Sequence, residues 1–454
     1  MKLIKYISLA LLLIPIGAQV QSQNCAQNVT VSTPSVSGTS TTYQASNSVI
    51  GTSTVHSGDT VIFDAGLEVV LGPNFDVLPG GVFDATIGGC SGSLTLPNDP
   101  YFPYQWGHHN TGNVPTFAAG VPVSQRVLGG LVDADTDLPE AWGVTQGSSS
   151  ITVAILDYGF DMGHPDLDTS RVRDGYDFVH GTSNYNDTTG HGTNVAGILG
   201  ATPNNGIGTA GVDWNCMIMP LKISDGNDFG GFQRIIAAVD HAILKQANII
   251  SMSFGGASEQ SKEVEDVFRD AIDAGILLFA ASGNDNRGSV DYPARYPSIV
   301  GVGAMSPCNE RKSSVTNSMT GSCDRDDRND GNQIAHWGSN YGDGLDFLAP
   351  GTLLPTTDVG GSSGISGFPL IYQSDPSGDF VFDSWGTSMA SPFAAGIASL
   401  VWSINPALKN YQVRHILQQS SVPASGIGTG HGSLNAHAAV VMAQSFNPNV
   451  DYLL

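Results

Sequence analysis

Two rhythms of apolar and polar positions divide this chain. Between about Asn24 and Cys90 the apolar positions come in short runs: Ser48-Val49-Ile50, Thr60-Val61-Ile62-Phe63, Leu67-Glu68-Val69-Val70-Leu71, Phe75-Asp76-Val77-Leu78 and Val82-Phe83. Gly, Pro, Asn and Ser separate them. Short runs with turn-forming punctuation and no 3.6-residue period predict strands. Phe63-Asp64-Ala65-Gly66 returns as Phe83-Asp84-Ala85-Thr86 twenty residues on, with Gly80-Gly81 shortly before the second copy. A motif recurring at that period predicts stacked rungs.

From Asp135 the rhythm changes. Apolar runs at 151–156, 217–223, 249–253, 276–280 and 299–302 predict strands. Between them Phe232, Ile235, Ile236, Val239 and Ile243 recur at helical spacing, as do Val264, Val267, Phe268 and Ile272 before a stop at Gly275. Strands alternating with helices predict an α/β fold, a parallel sheet flanked by helices, beside a small all-β N-terminal module. In such sheets the reacting groups gather beyond the carboxyl ends of the strands, so the residues that follow each run matter most.

Asp157 follows the run 151–156 directly, and His191 lies in Gly190-His191-Gly192-Thr193-Asn194-Val195-Ala196-Gly197, at the start of a small-residue helix. Ser388 lies in Gly386-Thr387-Ser388-Met389-Ala390-Ser391-Pro392, a glycine-led turn that opens an apolar helix. Asn284 sits in Ala281-Ser282-Gly283-Asn284-Asp285, after the run ending at Ala280. A serine hydroxyl becomes a nucleophile at neutral pH only with a base beside it, a carboxylate to orient that base, and donors for the oxyanion. Taken singly, Asp157 reads as an ordinary turn residue and His191 as a moderately specific motif. Taken together and in this order, the three segments resemble the subtilisin-like serine peptidases, over about residues 135–445.

The resemblance implies a serine endopeptidase acting on proteins or peptides. Ser388 takes the role of nucleophile, His191 of general base and acid, Asp157 of orienting carboxylate and Asn284 of oxyanion donor. It further implies substrate binding along Ser253, Phe254, Gly255 and Gly283, with a large apolar side chain preferred before the cut and Asp285 tolerating a cationic one at the rim. Calcium is the implied structural cofactor, held by Asp166 and by the loop containing Asn205, Ile207 and Thr209, since oxygen-only ligation suits a hard cation. No cofactor is implied for the chemistry itself. Pro97-Asn98-Asp99-Pro100 and Gln105-Trp106-Gly107, in a Pro-, Asn- and Gly-rich stretch 91–125 expected to run over a surface, match the family's lead-in. Phe347-Leu348-Ala349-Pro350-Gly351 matches its turn ahead of the nucleophile, and 430–436 matches its closing segment, where His431 is expected to be structural. The N-terminal module resembles the coat-hanger stacks of bacterial secreted proteins and occupies the place where many relatives carry an inhibitory propeptide. Stretches 306–342 and 351–385 exceed the compact family pattern, and the second is expected to form a rim ahead of the nucleophile. An inert scaffold and an esterase or ligase sharing the acyl-enzyme remain as alternative readings.

Charge and cysteine content narrow the setting. With 18 Lys plus Arg against 41 Asp plus Glu, the formal net charge of −23 argues against nucleic acid and anionic membranes as partners. Cationic Met1-Lys2-Leu3-Ile4-Lys5 leads into an apolar run to Ile16 and then Gly17-Ala18, a secretory signal peptide over 1–18 that predicts a secreted protein. No other stretch is expected to span a membrane. Five cysteines in an exported chain allow Cys25–Cys90 and Cys308–Cys323 bridges, with Cys216 a buried free thiol. The expected organisation is therefore 1–18 signal, 24–92 β module, 93–134 lead-in, 135–445 catalytic domain and 446–454 tail. Oligomeric state is left open.

Overall fold

The computed structural model describes residues 28–31, 40–45, 48–65, 68–86, 94–115, 127–226, 231–258, 261–313, 337–361, 364–365 and 374–449. The anticipated signal peptide and Cys25, Cys90 and Cys323 lie outside the described residues. Cys308 is disulfide-bonded and Cys216 is a buried free cysteine. The chain forms two compact units, 1–90 and 91–454.

The first unit is built of strands β1 (Asn28–Val31), β2 (Ser40–Ala45), β3 (Ser48–Gly51), β4 (Thr54–Val55), β5 (Thr60–Ala65), β6 (Glu68–Leu71), β7 (Asp76–Val77) and β8 (Val82–Thr86). They stack as parallel ladders in the orders β1-β3-β6, β2-β5-β8 and β4-β7. The period is not uniform. Ser48 pairs with Glu68, a step of twenty, but Thr60 pairs with Val82, a step of 22. The turn 72–75 between β6 and β7 is longer than the turn 52–53 between β3 and β4, and it carries the difference. Phe83 therefore has Val61, not Phe63, as its ladder partner. The two rings still meet edge-on at 5.1 Å, with Phe75 beside them at 5.8 and 4.7 Å. Val31, Val49, Val55, Val61 and Phe63 form the small buried core of this unit.

In the second unit a hairpin of β9 (Asn113–Pro115) and β10 (Val127–Gly129) and helix α1 (Leu138–Val144) precede the main sheet. The sheet strands are β11 (Thr152–Asp157), β12 (Tyr176–Asp177), β13 (Met217–Lys222), β14 (Ile249–Met252), β15 (Leu277–Ala281), β16 (Val300–Ser306), β17 (Glu310–Arg311) and β18 (Phe347–Pro350). Their order is β12-β13-β11-β14-β15-β16-β17, with β18 also on β16, and every pair is parallel except β16–β17. Strands β19 (Leu354–Thr357) and β20 (Phe380–Ser384) form a separate antiparallel pair. Helices α2 (His191–Gly200), α3 (Gly231–Leu244), α4 (Lys262–Asp273), α5 (Thr387–Ile404), α6 (Asn410–Ser420) and α7 (Ala436–Ser445) complete the unit.

The central strands β11, β14 and β15 are buried at every position, which is why their sequences are largely apolar. Three expectations change. Segment 347–351, matched only as a turn ahead of the nucleophile, contains a sheet strand, and Phe232, placed on a buried helical stripe, is 44% exposed while Ile235, Ala238, Val239 and Ala242 face the core. The lead-in expected on the surface contributes Phe102 and Trp106 to the core. Trp106 Nε1 donates to the Thr352 carbonyl at 2.9 Å and the Gln105 side chain exchanges two hydrogen bonds with the Ala210 backbone.

Helix α5 is apolar all round, so it must be enclosed. It packs against β14, β15, β16, β18, α2 and α7. By length and composition it is the one helix among the described residues that would pass for a membrane crossing, yet 83% of it is buried inside the fold. That is the position of a core helix.

Candidate active site

The carboxyl rim of the sheet collects the predicted residues. Asp157 ends β11, Ser253 follows β14, and Ser282, Gly283 and Asn284 follow β15. Helix α5 begins at Thr387 after Gly386, whose φ of 114° is open to glycine alone in practice. Ser388 is thus the second helical residue, where a backbone N–H has no partner inside the helix.

Pro392 explains how this turn is held. It lies inside α5 and has no N–H to give to the carbonyl four residues earlier, that of Ser388. The Ser253 hydroxyl takes the vacant place, donating to the Ser388 carbonyl at 2.6 Å. In return the Ser388 hydroxyl donates to the Ser253 carbonyl at 3.0 Å. The end of β14 and the serine turn are therefore locked by a reciprocal pair. Asn284 Oδ1 accepts from both the backbone N–H and the hydroxyl of Thr387, at 2.8 and 2.9 Å. Using the oxygen this way leaves Nδ2 to face the rim beside Gly386, and Nδ2 makes no hydrogen bond among the described residues.

On the facing side His191 opens α2. Its Nδ1 stands 2.8 Å from Asp157 Oδ1, which also accepts from the Tyr158 N–H at 2.8 Å. Asp157 is fully buried and the His191 side chain is 23% exposed, so the ring presents its other nitrogen to the rim. Burial alone lowers the proton affinity of His191, but the charge and hydrogen bond of Asp157 and the charge of Asp187 outweigh it, and the pKa is raised. Asn194, one turn into α2, accepts from the Ser384 hydroxyl at 3.1 Å and donates to the Thr357 carbonyl at 2.7 Å, tying the histidine helix to the strands that precede the serine turn. Among the described residues no hydrogen bond joins His191 to Ser388. The serine hydroxyl rests on Ser253 instead.

The segments expected to bind substrate lie on this rim. Ser253 to Gly256 leave β14, and Gly256 pairs with Tyr292 through two 2.9 Å backbone bonds. Phe254 is buried and Gly283 packs against Asp291 and Asn340. Asp285, considered for a cationic side chain, is exposed and already meets Arg287 at 2.9 Å. The stretch expected to form a rim reaches the histidine: Asp358, fully buried, and Ile365 fill the space beside Gly190. His431 packs its ring, tilted by 40°, against Phe347 at 5.7 Å.

The calcium residues gather only in part. Asp166 is fully buried, and burial together with the charge of Asp99 pushes its pKa up to about 8 against its hydrogen bonds from Thr209 and Asn205. Asp99, 2% exposed, accepts from the backbone N–H groups of Asn204 and Asn205 at 2.9 and 3.2 Å, and burial raises its pKa as well. Two buried carboxylates with no salt bridge among the described residues fit a hard divalent cation. The amide of Asn205 does not fit in its present orientation: Nδ2 faces Asp166 at 2.7 Å and Oδ1 is taken by the Ile207 N–H. The Thr209 N–H donates to Asp166 at 3.0 Å. Asp99 was missing from the predicted set, although the Pro97–Pro100 match was its signal.

Comparison with known proteins gives a consistent picture. The model of the subtilase family matches residues 148–445. The chain is 34% identical over 297 residues to subtilisin from Bacillus pumilus, covering 64% of this chain and 91% of that relative. It is equally identical, over the same length, to subtilisin J from Geobacillus stearothermophilus and to subtilisin amylosacchariticus from Bacillus subtilis subsp. amylosacchariticus, and spans 66% of the length of each. A solved protease structure from Pseudoalteromonas arctica aligns with a TM-score of 0.58 at 25% identity, covering 76% of this chain and 99% of that one.

Proposed function

The chain belongs to the subtilase family, and on that premise we propose that it is a secreted serine endopeptidase that cuts peptide bonds through an acyl-enzyme on Ser388. The observation that carries this reading is the 2.8 Å bond between Asp157 and His191 at the same sheet rim as the Ser388 turn. An extended peptide lies along Ser253 to Gly255, where backbone pairing is indifferent to side-chain identity and Phe254 favours an apolar group before the cut.

Catalysis starts with a rotation of the Ser388 hydroxyl from the Ser253 carbonyl to Nε2 of His191; hydrogen bonds of this kind often tighten only when substrate is bound. Oγ attacks the scissile carbonyl carbon as Nε2 takes its proton. The carbonyl electron pair moves to oxygen, which accepts from Asn284 Nδ2 and the Ser388 N–H. Imidazolium, held by Asp157, then returns the proton to the leaving amine as the C–N bond breaks. Water repeats the sequence on the acyl-enzyme and frees the acid.

Asn284→Leu is expected to lower kcat by about 10²–10³, the usual effect of deleting a side-chain oxyanion donor; subtilisin is the worked case for that magnitude. Because Oδ1 also supports Thr387, the same change costs about 1–3 kcal/mol of stability. Asn284→Asp keeps the acceptor and loses the donor, so it separates the two effects: kcat falls while the melting temperature holds. Wild-type kcat in Asn284→Asp would remove Asn284 from the oxyanion role.

Calcium is proposed as a structural ion held by the carboxylates of Asp166 and Asp99 together with the 204–209 loop, where it would neutralise two buried negative charges. EDTA is then expected to lower the melting temperature more than the initial rate. An unchanged melting temperature contradicts the site. We also assign residues 1–18 as the export signal, Cys323 as the partner of Cys308, and the N-terminal unit, whose parallel rungs support a coat-hanger-like β-solenoid, as a spacer or attachment module.

A further inference from the structure

The proposed mechanism uses one carboxylate behind His191, and the structure holds a second. Asp187 is fully buried and forms no salt bridge among the described residues. Its Oδ1 accepts from the N–H and hydroxyl of Thr189, both at 2.8 Å. Its Oδ2 accepts from the Gly190 N–H at 3.1 Å and from the N–H and hydroxyl of Thr193, both at 2.9 Å. These donors bracket His191 on both sides. The residue at the cap position of α2 is Gly190, which has no side chain to bond the first turn, so a carboxylate from outside the helix does that work.

The clamp extends to the loop after the orienting carboxylate. Thr193 Oγ1 accepts from the Asp161 N–H at 3.0 Å. The Phe160 N–H donates to the Tyr185 carbonyl and the Asp187 N–H to the Phe160 carbonyl. Gly192 rests so closely on the Gly159 carbonyl that a Cβ has no room. Lys222, the ladder partner of Asp157, donates to the Asn186 carbonyl at 2.8 Å. Asp157, Asp187 and the turn bearing His191 are thus one hydrogen-bonded body.

We propose that Asp187 is a positioning residue for the proposed reaction: its carboxylate fixes the turn that carries His191 and sets a second negative charge beside the imidazole. The inference rests on the peptidase reading. A hydroxyl or amide would suffice to cap a helix; a buried, unneutralised carboxylate also acts on the ring's charge, because a negative group at a helix start faces a low-dielectric surrounding. Burial of His191 opposes protonation, and Asp157 and then Asp187 reverse that balance. The other groups around the ring and its turn are the Tyr158 ring at 5.7 Å, Lys222 at the Asn186 carbonyl, Asp161 beyond Thr193, and Asp358 against Gly190.

The experiment is the pH profile of kcat/KM for wild type and Asp187→Asn on a peptide substrate, with fluorophosphonate labelling of both. Removing the charge should move the acid limb to lower pH, and the loosened turn should lower kcat several-fold above the limb. A lowered kcat with the limb unmoved marks a purely structural cap and overturns the proposal, as does a variant indistinguishable from wild type. Folded wild type that is never labelled contradicts the peptidase reading itself, so the two failures are distinguishable. If Asp187→Asn does not fold, Thr193→Val takes one donor from Asp187 and cuts the link to Asp161 without changing charge. It should lower kcat with the acid limb fixed; wild-type kcat in that variant refutes the clamp.

Discussion

Ser388→Ala is expected to lower kcat on a peptide substrate by roughly 10⁶-fold, a magnitude taken from subtilisin, which is a relative of this chain and the worked case for such triads. The structure says why folding should survive. Oγ of Ser388 makes one hydrogen bond among the described residues, to the Ser253 carbonyl. The stronger tether of this turn uses the Ser388 carbonyl, which alanine keeps, and the Ser253 hydroxyl. Loss of a single hydroxyl bond costs about 1 kcal/mol. The melting curve should barely move while turnover collapses to the level supplied by binding and oxyanion donors. Retention of about a tenth of wild-type turnover in folded Ser388→Ala would place the nucleophile elsewhere.

The second large effect is Asp157→Asn, with an expected loss of about 10⁴ in kcat. Asp157 Oδ1 accepts from Nδ1–H of His191 and so assigns the proton-free position to Nε2, the nitrogen facing the rim. Asparagine can present its amide NH₂ to Nδ1, which favours the opposite tautomer and leaves no base toward Ser388. Oδ2 of Asp157 is buried with no hydrogen-bond partner, so an asparagine that keeps its oxygen on His191 must leave its NH₂ unpaired in that position. The pH dependence has a definite sign. Only neutral imidazole accepts the serine proton, and the charges of Asp157 and Asp187 raise the His191 pKa. Activity in wild type therefore fails, as pH falls, at a higher pH than an ordinary histidine would give. In Asp157→Asn the residual activity should have its acid limb shifted to lower pH; a limb at the wild-type position would show that Asp157 does not act on the ring's charge.

The parts of the fold that sequence made legible are those where burial leaves a pattern. Strands β11, β14 and β15 are covered on both faces, so their runs were largely apolar and their ends, with Asp157 the last residue of β11 and Asn284 shortly after β15, lay within a residue of the predicted positions. The 22-residue step of the N-terminal rungs was hidden because Phe63-Asp64-Ala65 and Phe83-Asp84-Ala85 repeat at twenty, while the longer turn at 72–75 shifts the ladder without altering either motif. The reciprocal Ser253–Ser388 bonds were hidden for another reason. The carbonyl that Pro392 leaves open is a backbone group, and its partner stands 135 positions away in sequence. Asp187 left no pattern either, since all the bonds of its carboxylate go to residues within six positions and read as an ordinary polar turn. Asp99 and Asp166 each accept a backbone N–H of the 204–209 loop, a link that neither position shows alone.

The central claim is that Ser388 is made nucleophilic by His191 and Asp157 at one rim of the sheet. It is tested most directly by reacting the mature protein with a fluorophosphonate and mapping the adduct by peptide mass spectrometry. A single adduct on Ser388, absent from His191→Ala under the same conditions, is the predicted result. Folded protein that takes no label, or label on a different serine, contradicts the account.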